Sequence, residues 1–154
     1  MTKAERYAEV FRHIESLIDG ETEEIAILST VVSELHNSFA HYDWTGFYRV
    51  VAPGILKVGP YQGTHGCLTI PFERGVCGKC ARTASTQLVP DVSKLEYHIA
   101  CSSSTRSEVV VPILDSRGLV RAVLDVDSDT LSAFDEVDVA GLEQVCERMA
   151  YIYG

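Results

Sequence analysis

Two hydrophobic periodicities divide this chain and limit the folds that it can adopt. Near both ends, apolar side chains recur three or four residues apart, which is typical of amphipathic helices. Between them, β-branched and aromatic residues form short runs that end at proline, glycine or aspartate, as strands do. Helices at both ends of a meander of strands predict an α+β fold with a central, mostly antiparallel sheet. Because the chain has 154 residues and no linker or repeat, we expect residues 1–154 to form a single domain.

The helical pattern predicts two helices at the start of the chain and one at its end. Asp19 and Gly20 interrupt the pattern between the first two. The last helix is expected to begin near Ser132, whose hydroxyl would cap it, with Asp135 completing a variant of the capping box. The apolar positions expected on the core faces are Tyr7, Phe11, Ile14 and Ile18, then Ile25, Leu28, Val32, Leu35 and Phe39, and finally Leu142, Val145, Met149 and Ile152.

The strand-like runs alternate with short turns and one polar stretch. Pro53 and Gly54 join the first two runs, so these form a predicted hairpin. Residues 75–81 are expected to open a short helix, and residues 93–106 are expected to form a polar loop. The predicted strands cover residues 44–51, 55–58, 87–89, 108–114 and 119–127.

The charge balance excludes several classes of partner. The chain carries 13 basic and 22 acidic residues, a formal net charge of −9, with no basic stripe. Such a surface repels nucleic acid and anionic lipid, so we expect neither as a partner. Residues 1–7 lack the apolar core of a signal peptide, and no apolar run approaches the roughly 20 residues of a membrane span. We therefore expect a cytoplasmic protein, in which thiols are normally reduced.

Five cysteines then become informative, because an odd, clustered set in a reducing compartment points to metal binding or redox chemistry. The Cys-x-x-Cys spacing at Cys77 and Cys80 is that of dithiol oxidoreductases, where a helix N-terminus lowers the pKa of the first thiol. The βαβ frame of those proteins is missing from the predicted strand order. A zinc site made of Cys77, Cys80, His98 and Cys101 also has suitable spacing, but it leaves Cys67 unexplained.

A third interpretation is a redox cycle, in which one thiolate becomes a sulfenic acid and a second thiol condenses with it to a disulfide. Cys101 lies in a polar loop beside His98, which could lower its pKa, and is the candidate for the attacking thiol. Either Cys67 or Cys77 could supply the second thiol. Cys80 and Cys146 are interpreted as small buried hydrophobic residues.

Acidic residues mark two neighbouring predicted strands. Asp125 and Asp127 lie two apart on one strand and so point to the same face. Their repulsion is expected to raise the pKa of at least one of them, and an ammonium group between them would relieve it. Glu108 begins the neighbouring strand and could join them. The alternative is a solvated strand face or a turn anchor.

Seven short segments form a pattern along the chain: residues 44–48, 59–63, 74–78, 89–92, 98–101, 107–112 and 123–128. Taken in this order, they resemble the free methionine-(R)-sulfoxide reductases, which are small enzymes built on a GAF domain. The resemblance also covers the terminal helices and therefore nearly the whole chain. Three positions depart from the family pattern: Tyr97 and Ala122 stand where glycine is usual, and Ser102 where aspartate is frequent.

The resemblance implies a GAF fold, frequent homodimers, and reduction of free L-methionine-(R)-sulfoxide to methionine without a cofactor. It implies thioredoxin as the reductant that recycles the enzyme. By position, Cys101 matches the catalytic nucleophile, Cys67 its usual disulfide partner, and Cys77 a third cysteine that takes part in recycling.

Four further positions match residues that line the family's substrate pocket: Trp44, Glu108, Asp125 and Asp127. Our hypothesis is that the Cys101 thiolate attacks the sulfoxide sulfur while a protonated Glu108 or Asp127 gives a proton to the oxygen. Trp44 would form an apolar wall for the S-methyl group. A GAF module that binds a small effector without chemistry is the alternative from another class, and a zinc-stabilised binding domain is a further one.

Overall fold

The computed structural model describes residues 1–96, 101 and 103–154. The helices are α1 (Lys3–Ile18), α2 (Glu24–Ser38), α3 (Gly75–Thr83) and α4 (Glu136–Met149), with short 3₁₀ turns at Val92–Lys94 and Ala150–Tyr153. The strands are β1 (Trp44–Ala52), β2 (Ile55–Gln62), β3 (Thr69–Pro71), β4 (Gln87–Val89), β5 (Ser107–Leu114) and β6 (Val120–Ser128). Within the described residues, no helix combines the length and apolar character needed to cross a bilayer.

The strands form one sheet in the order β3-β2-β1-β6-β5-β4, and every pairing between them is antiparallel. The predicted α+β class with a central antiparallel sheet flanked by terminal helices is confirmed. The hairpin of β1 and β2 is also confirmed, and β2 runs further than predicted, to Gln62. The antiparallel pairing contradicts a thioredoxin-like frame, which requires parallel strands joined by a crossover helix.

The two faces of the sheet carry different layers, as strand alternation requires. On β6, Leu124 and Val126 face the core shared with α1, α2 and α4, whereas Val123 faces the core shared with α3. Asp125 and Asp127 share the α3 face with Val123. The sheet therefore separates a helical support layer from the layer that contains the candidate site.

The core faces of the terminal helices largely match the apolar pattern, with one clear exception in α2. Ile27, Leu28 and Val31 are buried, whereas Ile25 is 46% exposed, so its assignment to the core was wrong. At 100° per residue, Ile25 lies about 90° around the helix from the centre of the buried face. Phe39 is buried but follows the helix as its C-terminal cap.

The start of the last helix also differs from the prediction. Asp135, rather than Ser132, is the N-terminal cap of α4, and its carboxylate accepts from the amides of Val137 and Asp138. In turn, Oδ2 of Asp138 accepts a hydrogen bond from the backbone N–H of Asp135, at an N···O distance of 2.9 Å. Ser132 has φ +53°, a left-handed conformation that a capping residue does not adopt. A carboxylate is also the better cap at the positive end of the helix dipole.

Candidate active site

A small cavity opens between the β1-β6-β5 part of the sheet and α3. Its volume is about 30 Å³, which is enough to hold water or a small polar group. All the sequence-predicted site residues line it except Cys67, which is bonded to Cys101. The described lining comprises Trp44, Tyr48, His65, Gly66, Ile70, Gly75, Val76, Cys77, Cys101, Thr105, Glu108, Asp125 and Asp127.

The strand register brings the three carboxyl groups together. Glu108 on β5 pairs with Asp127 on β6, and Asp127 in turn pairs with Trp44 on β1. Asp125 lies two residues before Asp127 and so points to the same face. Glu108 and Asp125 are buried, and for Asp125 this contradicts the solvated strand face considered as the alternative for Asp125 and Asp127. Asp127 is half-buried, but its Oδ1 atom is shielded from solvent.

The pocket is therefore a poor environment for negative charge. Burial raises the pKa of Asp125 well above its usual value, and the nearby Asp127 and Glu108 raise it further. Burial also raises the pKa of Asp127, with the charge of Glu108 adding to the effect. The Oδ1 atoms of Asp125 and Asp127 have no hydrogen-bond partner among the described residues. Protonation, or a cation brought by a ligand, would satisfy them.

A disulfide joins Cys67 and Cys101 across the rim of the cavity. Cys67 follows β2 and Cys101 precedes β5, so the bond links segments from opposite halves of the sheet, with a Cα–Cα distance of 5.2 Å. Of the two partners that the residue chemistry left open for Cys101, this structure has Cys67. Tyr97, His98 and Ser102 lie outside the described residues, so the proposed effect of His98 on Cys101 stays a prediction.

Cys77 is a free thiol in the first turn of α3 and lines the same cavity. Burial raises the pKa of Cys77 well above its usual value, and the charges of Asp125 and Glu108 raise it further. A lowered pKa at this helix N-terminus, as the dithiol interpretation required, is therefore wrong for this environment. Desolvation and three acidic neighbours outweigh the helix dipole here.

Cys80 does not face the site. Its buried thiol donates to the carbonyl oxygen of Val110, at an S···O distance of 3.7 Å. Cys80 and Cys146 are both buried, as predicted. With Cys80 turned to the sheet and Cys101 in a disulfide, the zinc site of Cys77, Cys80, His98 and Cys101 is contradicted.

Trp44 belongs both to the core and to the pocket. Its side chain is 6% exposed and stacks on Tyr48 and Tyr61, with ring centroids 5.8 Å and 5.3 Å away. The indole N–H donates to the Thr64 carbonyl at 2.7 Å, which holds the segment that leads to Cys67. A Cβ on Gly66 would come within 2.8 Å of the indole ring, so only glycine allows this segment to lie against it.

The sequence reasoning missed several lining residues. Tyr48 lies four residues after Trp44 on β1, and strand alternation could have placed it on the same face. His65, Gly66 and Thr105 lie in connecting segments, where no periodicity indicates which side chains turn inward.

Comparison with known proteins agrees with this geometry. The family model of the GAF domain matches residues 21–152. A free methionine-R-sulfoxide reductase of Saccharomyces cerevisiae is 37% identical over 153 residues, covering 96% of this chain and 85% of its own. This chain belongs to the free methionine-(R)-sulfoxide reductase family. The resemblance drawn from the sequence motifs is thereby confirmed, together with the GAF fold.

Two further proteins are similar to this member of the reductase family. GAF domain-containing protein A of Dictyostelium discoideum is 42% identical over 148 residues, covering 96% of this chain and 92% of its own. An X-ray structure of the free methionine-R-sulfoxide reductase of Neisseria meningitidis, in complex with its substrate, has a TM-score of 0.94 and 40% identity. It covers 99% of this chain and 91% of its own.

Proposed function

We propose that this chain reduces free L-methionine-(R)-sulfoxide to L-methionine. The observation that carries the proposal is the meeting of three carboxyl side chains and a disulfide-bonded pair of cysteines at one small cavity, in a member of the reductase family. The N. meningitidis relative is described in complex with its substrate, and it shares the fold of this chain over nearly the full length.

The pocket's charge suits one end of such a substrate. An ammonium group would lie near the unpaired oxygens of Asp125 and Asp127 and would offset the repulsion that their burial creates. The S-methyl group would lie against Trp44, which lines the cavity and is held in place by stacking on Tyr48 and Tyr61. Recognition would thus combine one charge contact with one apolar wall, which is typical of small-ligand sites.

The first chemical step uses reduced Cys101. Its thiolate attacks the sulfoxide sulfur while a protonated Glu108 or Asp127 gives a proton to the sulfoxide oxygen. The oxygen then moves to the Cys101 sulfur, and both the substrate S–O bond and the transient bond between the two sulfur atoms break. Methionine leaves, and Cys101 becomes a sulfenic acid. Burial and the charge of Glu108 raise the pKa of Asp127, which suits Asp127 to this role.

The second step removes the oxygen. The Cys67 thiol attacks the Cys101 sulfenic acid, which releases water and forms the Cys67–Cys101 disulfide. An external dithiol, for which we propose thioredoxin, reduces this disulfide and is itself oxidised. Cys77 would relay exchange during this recycling, and its buried, protonated thiol keeps it from competing in the first step. We further propose a cytoplasmic, homodimeric enzyme.

The test is turnover with resolved epimers. Protein reduced by a dithiol would be incubated with racemic free methionine sulfoxide, and each epimer would be followed by chromatography. We expect loss of the R epimer alone, no turnover for Cys101→Ser, and unchanged turnover for the control Cys146→Ser, which lies on the opposite face of the sheet. If fully reduced protein consumes neither epimer, the proposal is wrong and the small-effector sensor becomes the leading function.

A further inference from the structure

We propose that this pocket binds one zinc-like divalent cation through the Cys77 thiolate and the carboxylates of Glu108 and Asp125. One ligand atom from each side chain lies within 4.8 Å of the other two, and all three residues are buried. Three protein ligands with one position left for water are a common arrangement around zinc. This set differs from the Cys77, Cys80, His98 and Cys101 set considered above, since it uses neither Cys80 nor a disulfide cysteine.

An unsatisfied buried oxygen points independently to a cation. The Oδ1 atom of Asp125 is shielded from solvent and has no hydrogen-bond partner among the described residues. The described residues that line the cavity include no lysine or arginine, so none of them brings a fixed positive charge to the three carboxyl groups. A divalent ion would supply both the missing charge and the missing contact.

The cavity has room for a small ion. A volume of about 30 Å³ accommodates a metal ion with a water molecule. The site is therefore available while Cys67 and Cys101 are joined, when Cys77, Cys80 and Cys146 are the free thiols.

The ligand chemistry selects the kind of metal. A thiolate favours zinc, cobalt or cadmium over magnesium or calcium, which prefer oxygen ligands alone. On binding, the Cys77 S–H bond is exchanged for an S–metal bond, and the proton leaves to solvent. The bound ion would occupy the place where the proposed substrate's ammonium group approaches Asp125. Zinc would thus hold the pocket closed to substrate.

Cobalt is the spectroscopic probe for this site. Chelator-treated protein with the Cys67–Cys101 disulfide intact would be titrated with Co²⁺. We expect one equivalent to bind with a thiolate-to-cobalt charge-transfer band, which Zn²⁺ then removes by displacement. Cys80→Ser and Cys146→Ser should keep the band and Cys77→Ser should lose it, with melting curves confirming that each variant is folded.

A carboxylate variant distinguishes metal binding at this three-residue site from nonspecific binding to the Cys77 thiol alone. Asp125→Asn should keep the band but lower the affinity by more than the roughly 10- to 100-fold that loss of an outer-sphere partner costs. No band with the unaltered protein, a band that survives Cys77→Ser, or unchanged affinity in Asp125→Asn would each overturn the proposal. None of these readouts requires turnover, so they are independent of the reductase assay.

Discussion

At the scale of single residues, Asp125 and Asp127 lie where the fold disfavours the ionised form of their carboxyl groups. Both have a raised pKa in the fold, because burial and neighbouring carboxyl groups disfavour the charged form. Such a carboxyl group binds its proton more tightly in the folded protein than in the unfolded chain. The free energy of unfolding therefore falls as the pH rises from about 4 towards the folded pKa. The site therefore costs stability at neutral pH, as functional sites often do.

Asp125→Asn should accordingly stabilise the fold while removing activity. We expect the free energy of unfolding to rise by about 1 kcal/mol at pH 7, or a melting temperature higher by roughly 2–4 °C, because asparagine requires neither proton uptake nor a buried charge on folding. The gain should shrink towards pH 4, where the native carboxyl group is protonated. Thermal melts at both pH values check this, with the exposed Asp129→Asn as a matched control. An unstable Asp125→Asn protein at pH 7 would contradict the prediction.

At the scale of elements, α3 holds Cys77 at the pocket through close packing at Gly78. A Cβ at this position would come within 2.7 Å of the Phe72 carbonyl oxygen and 2.8 Å of the Pro71 carbonyl oxygen. Both are backbone atoms at the end of β3, which have little freedom to move. The glycine therefore allows the helix to lie directly on the preceding segment.

Gly78→Ala should reverse the usual helix preference. In an open helix, alanine is favoured over glycine by about 1 kcal/mol. Here we expect a loss of roughly 1–3 kcal/mol in the free energy of unfolding, since α3 must shift away from the strand end. Urea denaturation of the two proteins measures the difference. A Gly78→Ala protein more stable than the parent would show that the helix relaxes without strain.

At the scale of the whole molecule, the chain ends are joined through Asp138 on α4. This buried carboxylate accepts from Tyr7 at 2.6 Å and from the Lys3 ammonium at 2.8 Å, and His41 lies 2.8 Å away. Burial alone would raise the pKa of Asp138, but the hydrogen bonds from His41, Lys3 and Tyr7 outweigh it and hold the pKa well below its usual range. The network ties α1 and the segment before β1 to α4.

Asp138→Asn should therefore destabilise the protein by about 3 kcal/mol at pH 7, because Lys3, Tyr7 and His41 would no longer contact a negatively charged group. A carboxyl group whose pKa is lowered in the folded state stabilises the protein fully at pH values above its unfolded pKa, which is near 4. This stabilisation is lost as the pH falls from there towards the folded pKa. The difference between the two proteins should thus be constant from pH 5 to about pH 7 and shrink below pH ~4. Chemical denaturation across this range measures it, and a difference that grows on acidification would contradict the assignment.

A second prediction for the whole molecule concerns access to the pocket. The Cys67–Cys101 bond joins two segments beside the cavity, so we expect it to restrict the entry of a free amino acid. We expect calorimetry to detect binding of free methionine, the proposed product, to reduced protein and to the Cys67→Ser, Cys101→Ser double variant. The disulfide form should bind at least tenfold more weakly, about 1.4 kcal/mol. Equal affinity in both redox states would show that the rim opens without reduction.

The sequence by itself determined the features that depend on local order. Apolar periodicity decided the terminal helices, and alternation placed Asp125 and Asp127 on one face of β6. The motifs indicated the family, because their order and spacing along the chain match its pattern. Each of these follows from neighbours along the chain.

Only the tertiary structure decided the features that depend on contacts between residues distant in the sequence. Strand register brought Glu108 opposite Asp127, and the approach of two loops joined Cys101 to Cys67 rather than to Cys77. Burial beside acidic groups reversed the pKa shift expected for a cysteine at the start of a helix. Desolvation and distance control these properties, and both arise only when separate elements pack together.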